Sequence, residues 1–389
     1  MSTTTPSARA DRLAAVSPGG PFRAEHVGSL LRPAAVTRAR AQRESGDITA
    51  EQLTAVEDEA VRHLVRRQGD LGLGAATDGE VRRHSWHEDF VFGLEGIEPG
   101  GTFAFPFRGG LDGTEVLWPG IERHLRGPVR LGETIFGPAL ASLQEAVAEA
   151  GTGAVPKLTI PSPNMVHNGV TPLGWTGVYD DEAALQADVA AAYAEEITRL
   201  HAAGLRYLQV DDVALTFFGD PVHRQSLGGE GATLRRTVDA FISQFNAALA
   251  GRPRDLLVGT HLCRGNYRSA WAMEGGYDVV AEQLFNDLDV DVYYLEFDDE
   301  RSGSLEVLRH LPPGKTVVLG LVTSKTPQLE DADLLRRRVD EAARYAPLEQ
   351  LALSPQCGFA STKEGNALTE DEQWAKLAHV VEVSESIWR

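Results

Sequence analysis

Short apolar, β-branched runs recur along the chain with helix-length amphipathic segments between them, the pattern of repeated βα units around a parallel sheet. The runs span residues 22–27, 73–77, 157–160, 207–210, 256–260, 292–295, 316–321 and 351–353. Eight such runs predict an α/β fold, a single closed (β/α)8 TIM barrel. Between them, 49–68 reads as a helix: Thr49 and Gln52 form a capping box, and Leu53, Val56, Ala60 and Leu64 mark an apolar face. Helices are also predicted near 181–203, 231–249, 329–345 and 369–387. The stretch 83–153 is too long for a plain βα connection. It is expected to be an insertion after the second strand, aromatic and glycine-rich at first and helical near 139–150, and a candidate lid.

No repeat or low-complexity block divides the rest, so 21–389 is expected to be one domain, preceded by a disordered tail over 1–20. With 42% hydrophobic and 24% charged residues among 389, the chain can bury a large core. It lacks an 18-residue apolar run and an apolar leader, which argues against a membrane span or secretory signal. A net charge of −19 argues against nucleic acid and anionic membranes as partners. Only two cysteines occur, Cys263 and Cys357, which favours a cytoplasmic location.

In a barrel of this kind the residues just past the strands converge on one mouth. Here they are polar: Glu25 to Ser29, Thr77 to Glu80, Gln209 to Asp212, Thr260 to Cys263, Leu295-Glu296 and Ser354 to Gly358. Both cysteines therefore fall at the same end as His261 and Glu296. Thiolate, imidazole and carboxylate are the ligands that Zn²⁺ takes in a tetrahedron, and these four are the candidate metal ligands. Alone, each cysteine reads more readily as a small buried hydrophobe and His261 as a satisfied core histidine; the agreement of four strand ends is what favours the metal. Glu80, Asp211 and Asp212 are candidates for holding an ammonium group, or else for capping helices and pairing with Arg82 and Arg83. Trp86 and Trp374 read as stacking surfaces or as packing.

The segments Phe22-Arg-Ala-Glu-His-Val-Gly-Ser29, Thr77-Asp-Gly-Glu-Val-Arg82, Gln209-Val-Asp-Asp212, Thr260-His-Leu-Cys263 and Leu353-Ser-Pro-Gln-Cys-Gly-Phe359 resemble, in order, the motifs of cobalamin-independent methionine synthase and its short single-barrel relatives. The resemblance covers 22–388 and implies a zinc set of His261, Cys263, Glu296 and Cys357. It implies that Ser29, Glu80 and Asp211 hold the amino and carboxylate groups of a homocysteine-like thiol; His26 and Trp86 are further candidate substrate-binding residues. Two departures concern the methyl donor: the full-length synthase has an additional N-terminal barrel, and its Asp-Glu-Pro motif is Asp211-Asp212-Val213 here.

The implied activity is methyl transfer from a donor such as an N5-methylated folate to a zinc-activated thiol. A thiol is a nucleophile only as thiolate, which is why the metal matters. Alternatives are alkyl transfer from another electrophile, as in epoxyalkane:coenzyme M transferases, and a non-catalytic zinc protein. The expected partners are a small-molecule thiol and an alkyl donor, with homo-oligomer formation left open.

Overall fold

The computed structural model describes residues 6–17, 20–110, 113–167, 174–227 and 229–388. Its centre is a parallel sheet of seven strands, accompanied by a separate two-stranded hairpin. The strands are β1 (Ala75–Ala76), β2 (Glu95–Phe107), β3 (Val116–Arg130), β4 (Val155–Pro161), β5 (Tyr207–Asp212), β6 (Leu257–Leu262), β7 (Val292–Glu296), β8 (Thr316–Val322) and β9 (Leu351–Pro355). The central sheet runs β1-β4-β5-β6-β7-β8-β9, every neighbour parallel, as βα repetition requires. β5 to β9 are buried at every residue, which is why their sequences are near-continuous apolar runs rather than alternations.

Two expectations need correction here. The predicted first strand, 22–27, is not a ladder strand; it makes one isolated bridge, Ala24 with Leu353. Glu25 N–H donates to Leu353 O and Leu353 N–H to Arg23 O, both at 2.9 Å, so the segment does lie along β9. Side chains take the carbonyls at and just past its end: Lys157 Nζ bonds His26 O, Gln209 Nε2 bonds Val27 O, and Thr77 Oγ1 bonds Gly28 O. Those carbonyls are thus withdrawn from β1, which is itself only two residues long. A backbone bond from Leu30 N–H to Gly79 O at 3.0 Å ties the segment to the turn after β1.

The second correction is at the N-terminus. Where the sequence predicts a disordered tail over 1–20, Pro6–Val16 forms a helix. Arg12 is buried against Asp291, with Nε to Oδ2 at 3.0 Å, and Val16 packs in a cluster with Val27, Tyr207, Leu257 and Val292. Composition carries no trace of an ion pair and an apolar anchor whose partners lie so far along the chain.

The predicted helices are present as Ala50–Asp70, Glu182–Ala202, Gly231–Ala248, Ala332–Ala342 and Glu370–Trp388. The capping box is formed as expected: Thr49 N–H donates to Gln52 Oε1 at 2.8 Å and Gln52 N–H to Thr49 Oγ1 at 3.3 Å. Ala60, Val61, Leu64 and Val65 bury the inner face of that helix. Between β1 and β4 the chain makes a short helix, Glu88–Val91, then the antiparallel hairpin β2–β3, then the helix Gly137–Ala150. Trp271 in the loop after β6 exchanges backbone hydrogen bonds with Arg108, joining the hairpin to the C-terminal end of the sheet.

Candidate metal centre and adjoining pocket

His261 is the penultimate residue of β6, Cys263 follows that strand, Glu296 ends β7 and Cys357 lies just past β9. The parallel register brings these strand ends to one side, and one ligand atom from each of the four lies within 4.8 Å of every other, all buried. A tetrahedron with bonds of about 2.0–2.3 Å has edges of roughly 3.3–3.8 Å, so modest inward movement completes one. The sulfurs of Cys263 and Cys357 are 3.4 Å apart, well beyond the length of about 2.05 Å of a disulfide, and both thiols are free.

Backbone groups orient the set. His261 Nδ1 faces Tyr294 O at 3.3 Å, which fixes the tautomer and leaves Nε2 buried without a partner among the described residues. That is the arrangement of a metal-ligating imidazole, one nitrogen tied to a carbonyl and the other free. Arg264 N–H donates to Glu296 Oε1 at 3.0 Å and Gly265 N–H to Cys263 Sγ at 3.2 Å. Burial alone would lower the pKa of His261, but the Cys357 sulfur, Asp211 and Glu296 beside it raise it to about 9. Hydrogen bonding from Cys263, with His261 and Lys325 close by, brings the Cys357 thiol well below its ordinary value. Four buried groups that compete for protons in this way form a donor set suited to a dication, and they fit zinc.

Three of the four, His261, Cys263 and Cys357, open onto a pocket that Ser29, Glu80, Trp86 and Asp211 also line. Glu80 reaches it through a strained turn. It sits at φ +56°, a left-handed conformation costing a non-glycine residue on the order of 1 kcal/mol, supported by an Asp78 Oδ1 bond to its N–H at 2.9 Å. Thr159 Oγ1 donates to Glu80 Oε1 at 2.7 Å, while Oε2 is buried with no partner among the described residues. Burial raises the pKa of Glu80, against the pull of Arg83 3.6 Å away. Asp211 pairs in register with His261 across β5 and β6, and Gln209 Nε2 donates to its Oδ1 at 2.7 Å. Burial first, and then Glu80, push Asp211 up to about 7, against the opposing effect of His261. Two buried carboxylates with raised pKa values thus share one pocket, and a positive charge placed between them would favour their ionised forms.

Other sequence candidates sit elsewhere. His26 is buried and does not line the pocket; burial and the Lys157 ammonium hold its pKa well below the ordinary value. Asp212 accepts from Ser162 Oγ, Asn164 Nδ2 and Leu215 N–H, so it braces loops and caps the turn after β5. Trp374 is buried in a core cluster with Leu30, Leu64 and Leu377, a packing role.

Residues 22–386 match the sequence family described as the cobalamin-independent synthase, catalytic domain. The chain belongs to that family. The uncharacterized protein YxjH of Bacillus subtilis is 44% identical over 375 residues, covering 95% of each chain. A 5-methyltetrahydropteroyltriglutamate–homocysteine methyltransferase of Bacillus mycoides is 24% identical over 359 residues, 90% of this chain but 42% of that protein. The crystal structure of a candidate vitamin-B12 independent methionine synthase from Listeria monocytogenes superposes with a TM-score of 0.72 at 33% identity, covering 95% of this chain and 99% of that one. No helix among the described residues is long and apolar enough to cross a membrane.

Sequence reasoning missed the aromatic side of this synthase-family pocket. Phe105 and Phe107 from β2, Trp118 from β3, Phe217 after β5 and Tyr267 after β6 all line it. A signal was present in Phe103-x-Phe105-x-Phe107, the period of a strand with one face turned to a wall.

Proposed function

We propose that this chain transfers a methyl group from a small-molecule donor to a homocysteine-like thiol ionised at a zinc ion held by His261, Cys263, Glu296 and Cys357. The observation that carries the reading is that three of these ligands face the same pocket as Glu80 and Asp211. Bound there, Zn²⁺ supplies one thing: it lowers the pKa of a thiol, which is about 8.5 in water, so that thiolate exists at neutral pH.

The chain's own side chains do the rest. Glu80 and Asp211 take the ammonium of the amino acid, which relieves the desolvation that raises both pKa values and the repulsion from Glu80 that adds to it at Asp211. Ser29, whose Oγ accepts Ala360 N–H at 3.4 Å, is left with its hydroxyl proton for the substrate carboxylate. Burial of the four ligand residues limits access of water to the sulfur. The resemblance to methionine synthase points to an N5-methylated folate or a related compound as methyl source, and the expected setting is cytoplasmic.

A sulfonate-bearing thiol of the coenzyme M kind fits less well, because it calls for Arg or Lys and neither is among the described lining residues. A closed structural zinc site fits less well too, since such a site has no reason to face a cavity. The test is calorimetry of homocysteine binding to zinc-loaded protein beside Cys263→Ala. Binding with proton release in the parent, and loss of both zinc and thiol binding in a variant of unchanged circular dichroism, is expected; equal binding by both would refute the proposal.

A further inference from the structure

The charges and the shape of the pocket differ from what a folate needs. No Lys or Arg is among its described lining residues, whereas Glu80 and Asp211 are. Guanidinium groups beside its lining residues are committed: Arg83 to Thr159 O at 2.7 Å and to Glu80, Arg264 to Gly275 O, Tyr277 Oη and Ser302 O, and Arg123 to Met165 O and Val166 O. With −19 on the whole chain, a polyanionic glutamyl tail meets an unfavourable field, and no Lys or Arg among the described lining residues offsets it.

Ring geometry separates ligand shapes further. Phe105 and Phe107 meet at 5.6 Å and 77°, Phe107 and Tyr267 at 5.6 Å and 55°, and Trp86 reaches Trp118 through His87 with tilts of 43° and 51°. These contacting rings tilt steeply against one another, so together they make a curved apolar wall rather than a flat one. Steeply tilted rings form a cup, the shape that surrounds a rounded head bearing methyl groups. His87 in that cup is held to a pKa of about 3 by burial and Arg123, so it adds no positive charge.

We infer that the methyl donor is a small onium cation, a sulfonium or a quaternary ammonium, whose methyl-bearing head is held by Phe105, Phe107 and Trp118. The inference rests on the thiol-methylation reading above and specifies its other substrate. Onium heads spread their charge over methyl groups, are weakly hydrated, and gain about 0.5–2 kcal/mol from each suitably placed aromatic face. The step balances: the thiolate sulfur forms a bond to the methyl carbon as the bond from that carbon to S⁺ or N⁺ breaks. The bonding pair leaves with the heteroatom, so a neutral sulfide or tertiary amine departs. The thiol proton has already gone to buffer, and one negative and one positive charge cancel without any oxidant or reductant.

The test uses full-length zinc-loaded protein and homocysteine with deuterated-methyl donors, following labelled thioether by mass spectrometry. S-methylmethionine and dimethylsulfoniopropionate form the sulfonium arm, glycine betaine the ammonium arm, and 5-methyltetrahydrofolate with one or three glutamates the anionic arm. At least one onium donor is expected to exceed both folates by about 100-fold in kcat/KM, the worth of two good aromatic contacts. Phe105→Leu and Trp118→Leu should each raise KM for that donor about tenfold, while calorimetric homocysteine affinity stays unchanged. Titrating tryptophan fluorescence without thiol should show the onium donor binding more tightly than its uncharged carbon isostere. A folate as the best donor, no turnover with any onium, or unchanged KM in both variants overturns the inference while leaving the thiol site standing. Failure of homocysteine to bind in calorimetry refutes the thiol reading instead, and this inference with it.

Discussion

Replacing Asp211 by asparagine removes a charge while keeping the shape and the acceptor oxygen that Gln209 Nε2 uses at 2.7 Å. In the metal-free protein Asp211 titrates at about 7, raised chiefly by burial and by Glu80, whereas an unfolded aspartate titrates near 3.9. A folded-state pKa above the unfolded one means that the favourable contribution is fully present below pH ~3.9 and is lost as pH rises to about 7. Wild-type protein at pH 8 thus carries a penalty of up to about 4 kcal/mol that Asp211→Asn lacks, since each pH unit separating the two pKa values is worth about 1.4 kcal/mol. At pH 5.5 the penalty is about 2 kcal/mol, because the folded carboxyl is still protonated there. For a chain of 389 residues the unfolding entropy is about 0.8 kcal/mol/K, so the variant should gain about 5 °C in Tm at pH 8 and about half of that at pH 5.5. Differential scanning fluorimetry of chelator-stripped protein at the two pH values measures this. Zinc binding beside His261 should shrink the difference, since a dication favours the ionised form. The same variant should bind homocysteine about 10–100-fold more weakly, the loss expected when a charged hydrogen bond is removed. A variant less stable than wild type at pH 8, or a gain that does not grow with pH, would refute the assignment of Asp211 as an unpaired, cation-seeking carboxylate.

Glu80→Gln should likewise weaken homocysteine binding by about 10–100-fold with zinc content unchanged, read by calorimetry and elemental analysis. Gly358→Ala should abolish most thiol binding, because a Cβ there would overlap Ser29 Oγ and fall 3.2 Å from Ser29 O, forcing Ser29 and the Cys357 loop apart; a binding titration checks it. Arg12→Leu should lower stability by about 1–3 kcal/mol in urea unfolding without affecting zinc, since Asp291 retains Arg252 at 3.5 Å and Val258 N–H at 3.1 Å.

Much of the molecule is legible in its residue pattern. Most strands of the parallel sheet are fully buried runs between amphipathic helices, and buried runs and helical faces are what periodicity reports directly. The metal ligands are legible because a parallel sheet sends every strand end to the same side, so His261, Cys263, Glu296 and Cys357 group from strand position alone. What pattern misses is governed by side chains acting on backbone. Lys157, Gln209 and Thr77 capture the carbonyls of His26, Val27 and Gly28, turning a predicted strand into a bridging segment, and alternation of side chains carries no record of that. His26 stands close before Ser29 in the same motif yet stays out of the pocket, because alternation along the extended segment gives the pocket face to Val27 and Ser29. The Pro6–Val16 helix depends on the contact of Arg12 with Asp291, 279 positions away, and short-range pattern is blind to it. The aromatic cup lies in the hairpin, where the expected insertion has no βα template to read against.

The most direct test of the central claim is X-ray absorption at the zinc edge of purified protein, before and after saturation with homocysteine. About one zinc per chain with two sulfur neighbours near 2.3 Å, becoming three when the thiol is added, with loss of one oxygen or nitrogen neighbour, is the predicted result. Absence of zinc, or a coordination shell unchanged by a thiol that is methylated in turnover, would contradict it.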